Sequence, residues 1–231
     1  MKIIVIVPTL NEEKNISRLT SVIDGGLTNF FPTFEKEIVN VDSNSTDKTI
    51  YKFLKTKTKT TKKSLVCSNN KRGKGYGIKL GIEYGLKNKG TFFLTLDADV
   101  ISITKDWVNK FLSPIIKNNA DLIIPIYKRN RYEGNLTNHL LSPSIYAYFS
   151  LDIPQPIAGD FSFNKTVATN VLSEMKYSSD FKYGIDSLIT ANAILNKKRV
   201  RQMKLIQKIH NPSFPKIIPI FLGETTTFFT Q

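Results

Sequence analysis

Five short apolar runs, each followed by a polar loop and most of them by an amphipathic stretch, fill the first half of the chain. The runs at 3–7, 37–41, 65–68, 91–96 and 122–126 read as strands from their length and their β-branched and aromatic content. The stretches at 15–23, 46–54, 74–87 and 107–116 carry apolar residues at helical spacing and read as helices between them. Strands alternating with helices predict a parallel or mostly parallel sheet covered on both faces, an α/β fold. Sheets of this kind bind ligands beyond the C-terminal ends of their strands. The polar signals fall in those loops: Pro8-Thr-Leu-Asn-Glu-Glu13, Val41-Asp-Ser-Asn-Ser-Thr-Asp47, Asn69-Asn-Lys-Arg-Gly-Lys-Gly75 and Asp97-Ala-Asp99.

The second half departs from this rhythm. Residues 136–149 predict an apolar helix with Pro143 near its start or breaking it. A loop or extended segment is expected at 155–160 and a short strand at 161–163. Helices follow at 165–175 and 185–195, then a strand over 200–209 that ends at His210. No internal repeat or second-domain boundary is visible, and 231 residues with 41% apolar content predict one domain with a real core.

The formal charge of +14 suits nucleic acid, an anionic membrane face or phosphorylated small molecules. Much of it lies in the alternating Lys/Thr run 55–63, which is expected to form a mobile, solvated loop. No zinc-finger spacing or aromatic recognition motif supports nucleic acid. The single cysteine, Cys67, reads as a small core residue; its isolation excludes an intramolecular disulfide framework and favours a reducing, cytoplasmic setting. The five apolar residues before Pro8 are too few for a signal peptide, and no run approaches the roughly 18 apolar residues of a membrane span.

In Leu94-Thr-Leu-Asp-Ala-Asp99 an apolar run ends in two carboxylates, a reason to expect a divalent cation at the strand mouth. Asp42 also ends a strand and is suited to accept hydrogen bonds from a base or sugar. Ser45, Thr46 and Asp47 read as capping residues of the next helix. Arg72-Gly-Lys-Gly75 offers glycines for close backbone approach and Lys74 for a phosphate. It matches neither a Walker loop nor G-x-G-x-x-G, which argues against an ATPase or a dehydrogenase. His210 can join the acidic loop as a metal ligand if its strand returns there. His139 is assigned a structural role. Asp160 and Asp186 follow glycines closely, read as exposed turn residues, and are candidates for sugar binding or acid/base work.

These motifs resemble those of GT-A nucleotide-sugar glycosyltransferases of the family-2 type: V-P-T-L-N-E-E, V-D-S-N-S-T-D, G-K-G and D-A-D in order. Gln155-Pro-Ile-Ala-Gly-Asp160, Tyr183-Gly-Ile-Asp186 and Lys208-Ile-His210 look closest to the retaining glucosyl-3-phosphoglycerate synthase and mannosylglycerate synthase group. The resemblance implies a GT-A fold with a nucleotide-binding part at about 1–99 and an acceptor- and metal-closing part at about 100–231. It places Pro8, Leu10, Glu12, Asp42 and Ser43 around the nucleotide, Lys74 near the base or diphosphate, and Asp97 at the ribose. Asp99 and His210 would hold Mg²⁺ or Mn²⁺. Asp186 would stand near the transferred sugar, and the Ile157 carbonyl near the reacting centre with Asp160 beside it. Gly134, Asn135 and Thr137 match the acceptor segment Gly-Arg-x-Thr, with Asn135 where that group has arginine. Pro212 likewise replaces an asparagine. Lys128, Arg129 and Arg131 lie nearby in sequence and are candidates to compensate for the missing guanidinium.

The implied reaction is metal-dependent hexose transfer from a UDP- or GDP-sugar to a small anionic acceptor such as glycerate or a phosphoglycerate, with retention. Two alternatives stay open: inverting transfer to polyprenyl phosphate at a membrane surface, and a nucleotide-sugar-binding protein without catalysis. A peripheral contact with the inner membrane face and a homodimer also stay open.

Overall fold

The computed structural model describes residues 1–71, 73–129, 133–176, 180–209 and 217–230. Its frame is one seven-stranded sheet in the order β3-β2-β1-β4-β6-β5-β7. The strands are β1 (Lys2–Thr9), β2 (Glu35–Asp42), β3 (Thr61–Val66), β4 (Gly90–Thr95), β5 (Leu122–Tyr127), β6 (Phe161–Asn164) and β7 (Val200–Leu205). The helices are α1 (Ile16–Phe30), α2 (Thr49–Lys55), α3 (Lys74–Lys87), α4 (Lys105–Ile116), α5 (Ser142–Phe149), α6 (Lys165–Glu174), α7 (Ile185–Leu195) and α8 (Ile217–Thr230). A single wide π-type turn, Thr137–Leu141, leads into α5 with Pro143 in that helix's first turn.

The mostly parallel sheet is as expected, with one reversed strand: β6 runs antiparallel to both β4 and β5. Its register places Phe161 opposite Thr95, so the residue before β6 arrives beside the end of β4. Without this reversal the 155–160 loop would lie at the far edge of the sheet.

Central β1 is apolar on both sides, and Ile3 to Val7 are fully buried. Helix α3 closes on it through three glycines four residues apart. A Cβ on Gly77, Gly81 or Gly85 would lie 3.2 Å from Pro8, 2.5 Å from Ile6 and 3.3 Å from Ile4 respectively. Four helical residues rise about 6 Å and two strand residues about 6.6 Å, so the two spacings match. The match pins the N-terminus of α3, and therefore Lys74, at the C-terminal end of β1. At the other flank Asp121 fastens the starts of β5 and β7. Its carboxylate accepts from Arg199 Nε and Nη2 at 2.9 Å each, and from Asn164 Nδ2 at 2.9 Å.

Two expectations are corrected. The run 55–63 is not a mobile loop: Lys55 ends α2, and Thr61 to Lys63 begin the edge strand β3. Between them, Lys59 and Thr60 donate their N–H groups to Asp24 at 3.1 and 2.8 Å. Lysines on an edge strand discourage pairing with another chain. The last expected strand is also shorter, ending at Leu205 instead of 209. Cys67 is buried, as expected, while His139 is exposed.

Gly81→Ala puts a methyl group into Ile6. The helix-propensity gain of roughly 1 kcal/mol is outweighed by overpacking of about 2–3 kcal/mol. The variant is expected to unfold at lower urea with an unchanged m-value.

Candidate active site

The loops after β1 and β2 are laced to each other. Asn11 N–H donates to Ser45 Oγ at 2.8 Å, and Thr46 N–H returns a bond to Asn11 Oδ1 at 2.9 Å. Glu12 N–H donates to Thr49 Oγ1 at 2.8 Å and Glu13 N–H to Asp47 Oδ2 at 3.0 Å. Asp47 also accepts from Thr49 N–H at 2.9 Å, so it serves the start of α2 as expected. Ser45 and Thr46 do not cap that helix; they tie the two loops together. Pro8 is half-buried, Leu10 is exposed, Glu12 is half-buried and Ser43 is buried. Asp42 is fully buried and accepts from Thr9 Oγ1, Ser45 N–H and Ser45 Oγ at 2.7–3.0 Å. Three of its roughly four acceptor directions are therefore engaged by the chain.

The glycines around Lys74 serve the chain's own approach. Gly75 N–H donates to Lys182 O at 2.9 Å and Tyr76 N–H to Phe181 O at 2.9 Å. A Cβ on Gly75 would sit 2.0 Å from Asp180 O. The first N–H groups of α3 thus hold the segment before α7, and Lys74 alone reaches inward.

That lysine sits in a cluster of buried charge. Its Nζ lies 2.8 Å from Asp97 Oδ1 and 3.0 and 3.1 Å from the two Asp186 oxygens, and donates to Gly159 O at 3.0 Å. Lys208, three residues past β7, reaches Asp97 Oδ2 at 3.1 Å, Asp160 Oδ2 at 2.8 Å and Ala158 O at 3.1 Å. Asp160 also accepts from Asp97 N–H at 2.7 Å and from the Tyr127 hydroxyl. Gly159, at φ +91°, is required here, since a Cβ would come 2.3 Å from Asp97 Oδ2.

Asp160 and Asp186 are not the exposed turn residues expected from their glycine neighbours. They are 0% and 6% exposed, because β6 and α7 bring them under the sheet's end. Burial opposes the Asp97 charge, yet Lys74 and Lys208 hold its pKa at about 2. Burial likewise opposes both lysines, and the surrounding aspartates outweigh it and raise them. Asp186 goes the other way: burial raises it, and Lys74 only partly pulls it back. Burial and Asp160 together push the Tyr127 phenol well up.

Further along the wall, Arg129 Nη1 lies 3.4 Å from Thr137 Oγ1. A Cβ on Gly134, at φ +80°, would meet that guanidinium at 2.5 Å. Burial lowers the Arg129 pKa, with the Glu133 and Tyr127 charges acting against it. Thr137 is buried and Asn135 exposed. Ile157 is half-buried in the loop that carries Gly159.

Asp99 is half-buried two residues beyond Asp97. Arg72, Arg131, His210 and Pro212 lie outside the described residues, and among those described no group of three acidic, histidine or cysteine residues forms a metal site. One hard oxygen ligand at Asp99 fits a divalent cation that takes its remaining ligands from a diphosphate and water.

A mostly parallel sheet with a D-x-D loop at the end of its central strands defines a GT-A-like nucleotide-sugar transferase fold. The chain belongs to glycosyl transferase family 2, whose model matches residues 4–174. It is similar to a dolichol-phosphate mannosyltransferase of Pyrococcus furiosus, with 29% identity over 186 residues that cover 74% of this chain and 48% of that protein. The chain thus spans about half the length of this curated relative. Among solved structures it resembles glucosyl-3-phosphoglycerate synthase from Mycobacterium tuberculosis in complex with Mg²⁺ and UDP. There the TM-score is 0.79 at 18% identity, over 99% of this chain and 78% of that one. A complex of the same synthase with Mn²⁺, UDP-glucose and phosphoglyceric acid gives a TM-score of 0.78 at 18% identity, over 99% and 79%.

Tyr127 and the Lys208 ion pairs were not predicted as site features, whereas Arg129 was one of three basic residues expected to make up for the missing arginine and lies against Thr137. Lys208 stood inside a noted motif, but nothing local marks a lysine as buried. Tyr127 closes an apolar strand and reads as core until the β5–β7 register brings Lys208 over its ring, 5.1 Å from the centroid.

Replacing Lys74 by Met leaves buried Asp186 without its cation and half-buried Asp97 with Lys208 alone. A loss of about 3 kcal/mol in unfolding free energy is expected. Adding Asp186→Asn should recover part of it, and a denaturant double-mutant cycle would read that coupling.

Proposed function

We propose that this chain transfers a hexose from a UDP- or GDP-sugar to a small anionic hydroxyl acceptor of the glycerate or phosphoglycerate type, retaining the anomeric configuration. The observation that carries this reading is the set of Lys74, Lys208, Asp97, Asp160 and Asp186 gathered where β1, β4 and β5 end, with Asp99 adjoining. Family membership supports the reaction class. The synthase structures, solved with UDP-glucose and phosphoglyceric acid or glycerol 3-phosphate, support the donor and acceptor classes.

In this reading Pro8, Leu10, Glu12, Asp42 and Ser43 border the nucleotide and Asp97 the ribose. Asp99 and His210 would hold Mg²⁺ or Mn²⁺, and that ion would neutralise charge on the diphosphate. Lys74 and Lys208 are the protein's own cations for that leaving group, exchanging carboxylate partners for diphosphate oxygens. The bond from the sugar's anomeric carbon to the diphosphate breaks, and a bond to the acceptor oxygen forms on the same face. The acceptor proton passes to the departing diphosphate oxygen, with the Ile157 carbonyl bordering this centre. Asp160 is a poor general base, because Tyr127, Lys208 and Asp97 N–H already use its oxygens. Asp186 positions the sugar beside Lys74.

Arg129 supports an anionic acceptor. Asn135 lacks the guanidinium that the acceptor segment would carry, and Arg129 brings one to Thr137 from the end of β5. A planar fork beside a hydroxyl suits phosphate or carboxylate.

A second reading, transfer to polyprenyl phosphate at a membrane surface, draws on the mannosyltransferase relative. It also draws on exposed Tyr146, Tyr148, Ile218, Leu222 and Phe229 on α5 and α8. In this reading the contact is peripheral, through those side chains; no helix among the described residues is long and apolar enough to cross a membrane. The same face is available to a second copy of the chain.

Mass spectrometry of products decides between them, with UDP-glucose, GDP-glucose and GDP-mannose each offered against 3-phosphoglycerate, glycerate and a short polyprenyl phosphate. A glycosylated acid is expected, abolished by EDTA and restored by Mn²⁺ or Mg²⁺. Product on polyprenyl phosphate alone moves the enzyme to the membrane. Donor binding without turnover on any acceptor leaves a binding protein. Arg129→Ala is expected to raise the acceptor KM at least tenfold while the donor KM stays within about twofold, consistent with a lost charge-assisted bond.

A further inference from the structure

Helix α8 crosses the start of α7 at very close range. A Cβ on Gly184 would lie 2.1 Å from Thr227 Oγ1 and 2.8 Å from Gly223 O. Thr227 Oγ1 donates to the buried Asp180 carboxylate at 2.8 Å, tying the same crossing to the segment before α7. The crossing delivers Glu224, 3% exposed, beneath the first turn of α7, where Oε2 accepts the Ser187 N–H at 2.9 Å. Helix α7 has no side-chain cap of its own. Glu224 therefore serves from another helix the N-terminal N–H group that a capping residue would otherwise satisfy. Ser187 adjoins Asp186, whose carboxyl faces Lys74.

Two buried carboxyls thus serve one helix terminus, Asp186 paired with Lys74 and Glu224 bound to the N–H of the next residue. Among the described residues no ion pair involves Glu224. The charged groups bearing on the pair are Lys74 from α3, Asp97 after β4 and Lys208 after β7; Asp180, before α7, is engaged by Thr227 and by Lys176 N–H.

We infer that Glu224 is the positioning residue for Asp186, holding the first turn of α7 and sharing with Asp186 a single negative charge. Asp186, next to Lys74, carries that charge, and Glu224 carries the proton while its carbonyl oxygen accepts from Ser187. Burial and the Asp186 charge raise the Glu224 pKa well above the carboxylate range, in keeping with this division. The functional side of the inference rests on the reading of Asp186 as the group beside the transferred sugar; the charge sharing does not.

The sign of the linkage follows. An acid whose pKa is raised by folding supports the fold fully below its unfolded value and loses that support as pH climbs toward its folded value. Glu224→Gln keeps the acceptor for Ser187 and cannot ionise. Urea unfolding of the full chain from pH 5 to pH 9 is therefore expected to show E224Q gaining on wild type, by up to about tenfold in folding constant per pH unit. In an Asp186→Asn background that gain should shrink, because Glu224 then ionises with less opposition. Parallel wild-type and E224Q curves, or a gain indifferent to D186N, would overturn the charge sharing whether or not any sugar is transferred. For positioning, E224A, which orphans the Ser187 N–H, is expected to lose at least tenfold in kcat with donor KM nearly unchanged, while E224Q retains kcat. A wild-type kcat in a folded E224A enzyme would overturn that part.

Discussion

Lys74 and Lys208, inserted among the half-buried carboxylate of Asp97 and the buried ones of Asp160 and Asp186, are the contacts around which the rest of the molecule is arranged. Three acids gathered at the end of a sheet repel one another and lose hydration, so each needs a partner within bonding distance. The cluster ties together α3, the loop after β4, the loop before β6, the start of α7 and the segment after β7. A buried ion pair adds little net stability over an apolar one, so its value lies elsewhere. Under the proposed function an incoming diphosphate would bring its own negative charge to the same lysines, and a divalent cation would neutralise acids left behind. Paired lysines of this kind suit an exchange of partners at little electrostatic reorganisation.

How that cluster forms is a matter of topology. The sheet switches direction at β6, and this one reversed strand of four residues sets Asp160 opposite the residues leading to Asp97. The glycine stripe of α3 does the same for Lys74, fixing how far along β1 the helix can slide. Neither device involves a ligand. Both decide which side chains share a site.

The parallel frame was legible because hydrophobic periodicity and strand-to-loop order are local. Asp97, Asp99, Asp42 and Lys74 were legible because each follows a strand or opens a helix. Burial was not. Glycine beside Asp160 and Asp186 signals a turn, yet these turns are folded under other elements, and only long-range pairing reveals it. Glu224 sat in an apolar segment without a motif, and its meaning comes from the Gly184–Gly223 crossing with α7. The first two loops carry a different lesson. Asn11 stands in a candidate ligand loop and Ser45, Thr46 and Asp47 read as helix caps, but the structure uses all four to bind one loop to the other. Leu10 stays exposed beside these loops, while Asp42 is fully buried with most of its acceptor directions taken by the chain.

The wall formed by Arg129, Gly134 and Thr137 shows why a motif residue and the chemistry it supplies can separate. An arginine in the Gly-Arg-x-Thr segment would project from the first helical turn, where this chain has exposed Asn135. Arg129 comes instead from just past β5, and its guanidinium lies over Gly134 against the buried Thr137 hydroxyl. It stands two residues past Tyr127, whose hydroxyl donates to Asp160, the carboxylate that also holds Lys208. Burial lowers the Arg129 pKa without removing its charge, since guanidinium stays protonated well above neutrality. A half-desolvated cation of this kind gains most from an anion that completes its hydrogen bonds. The substitution at 135 therefore leaves the wall's positive charge in place and changes the direction from which it is presented.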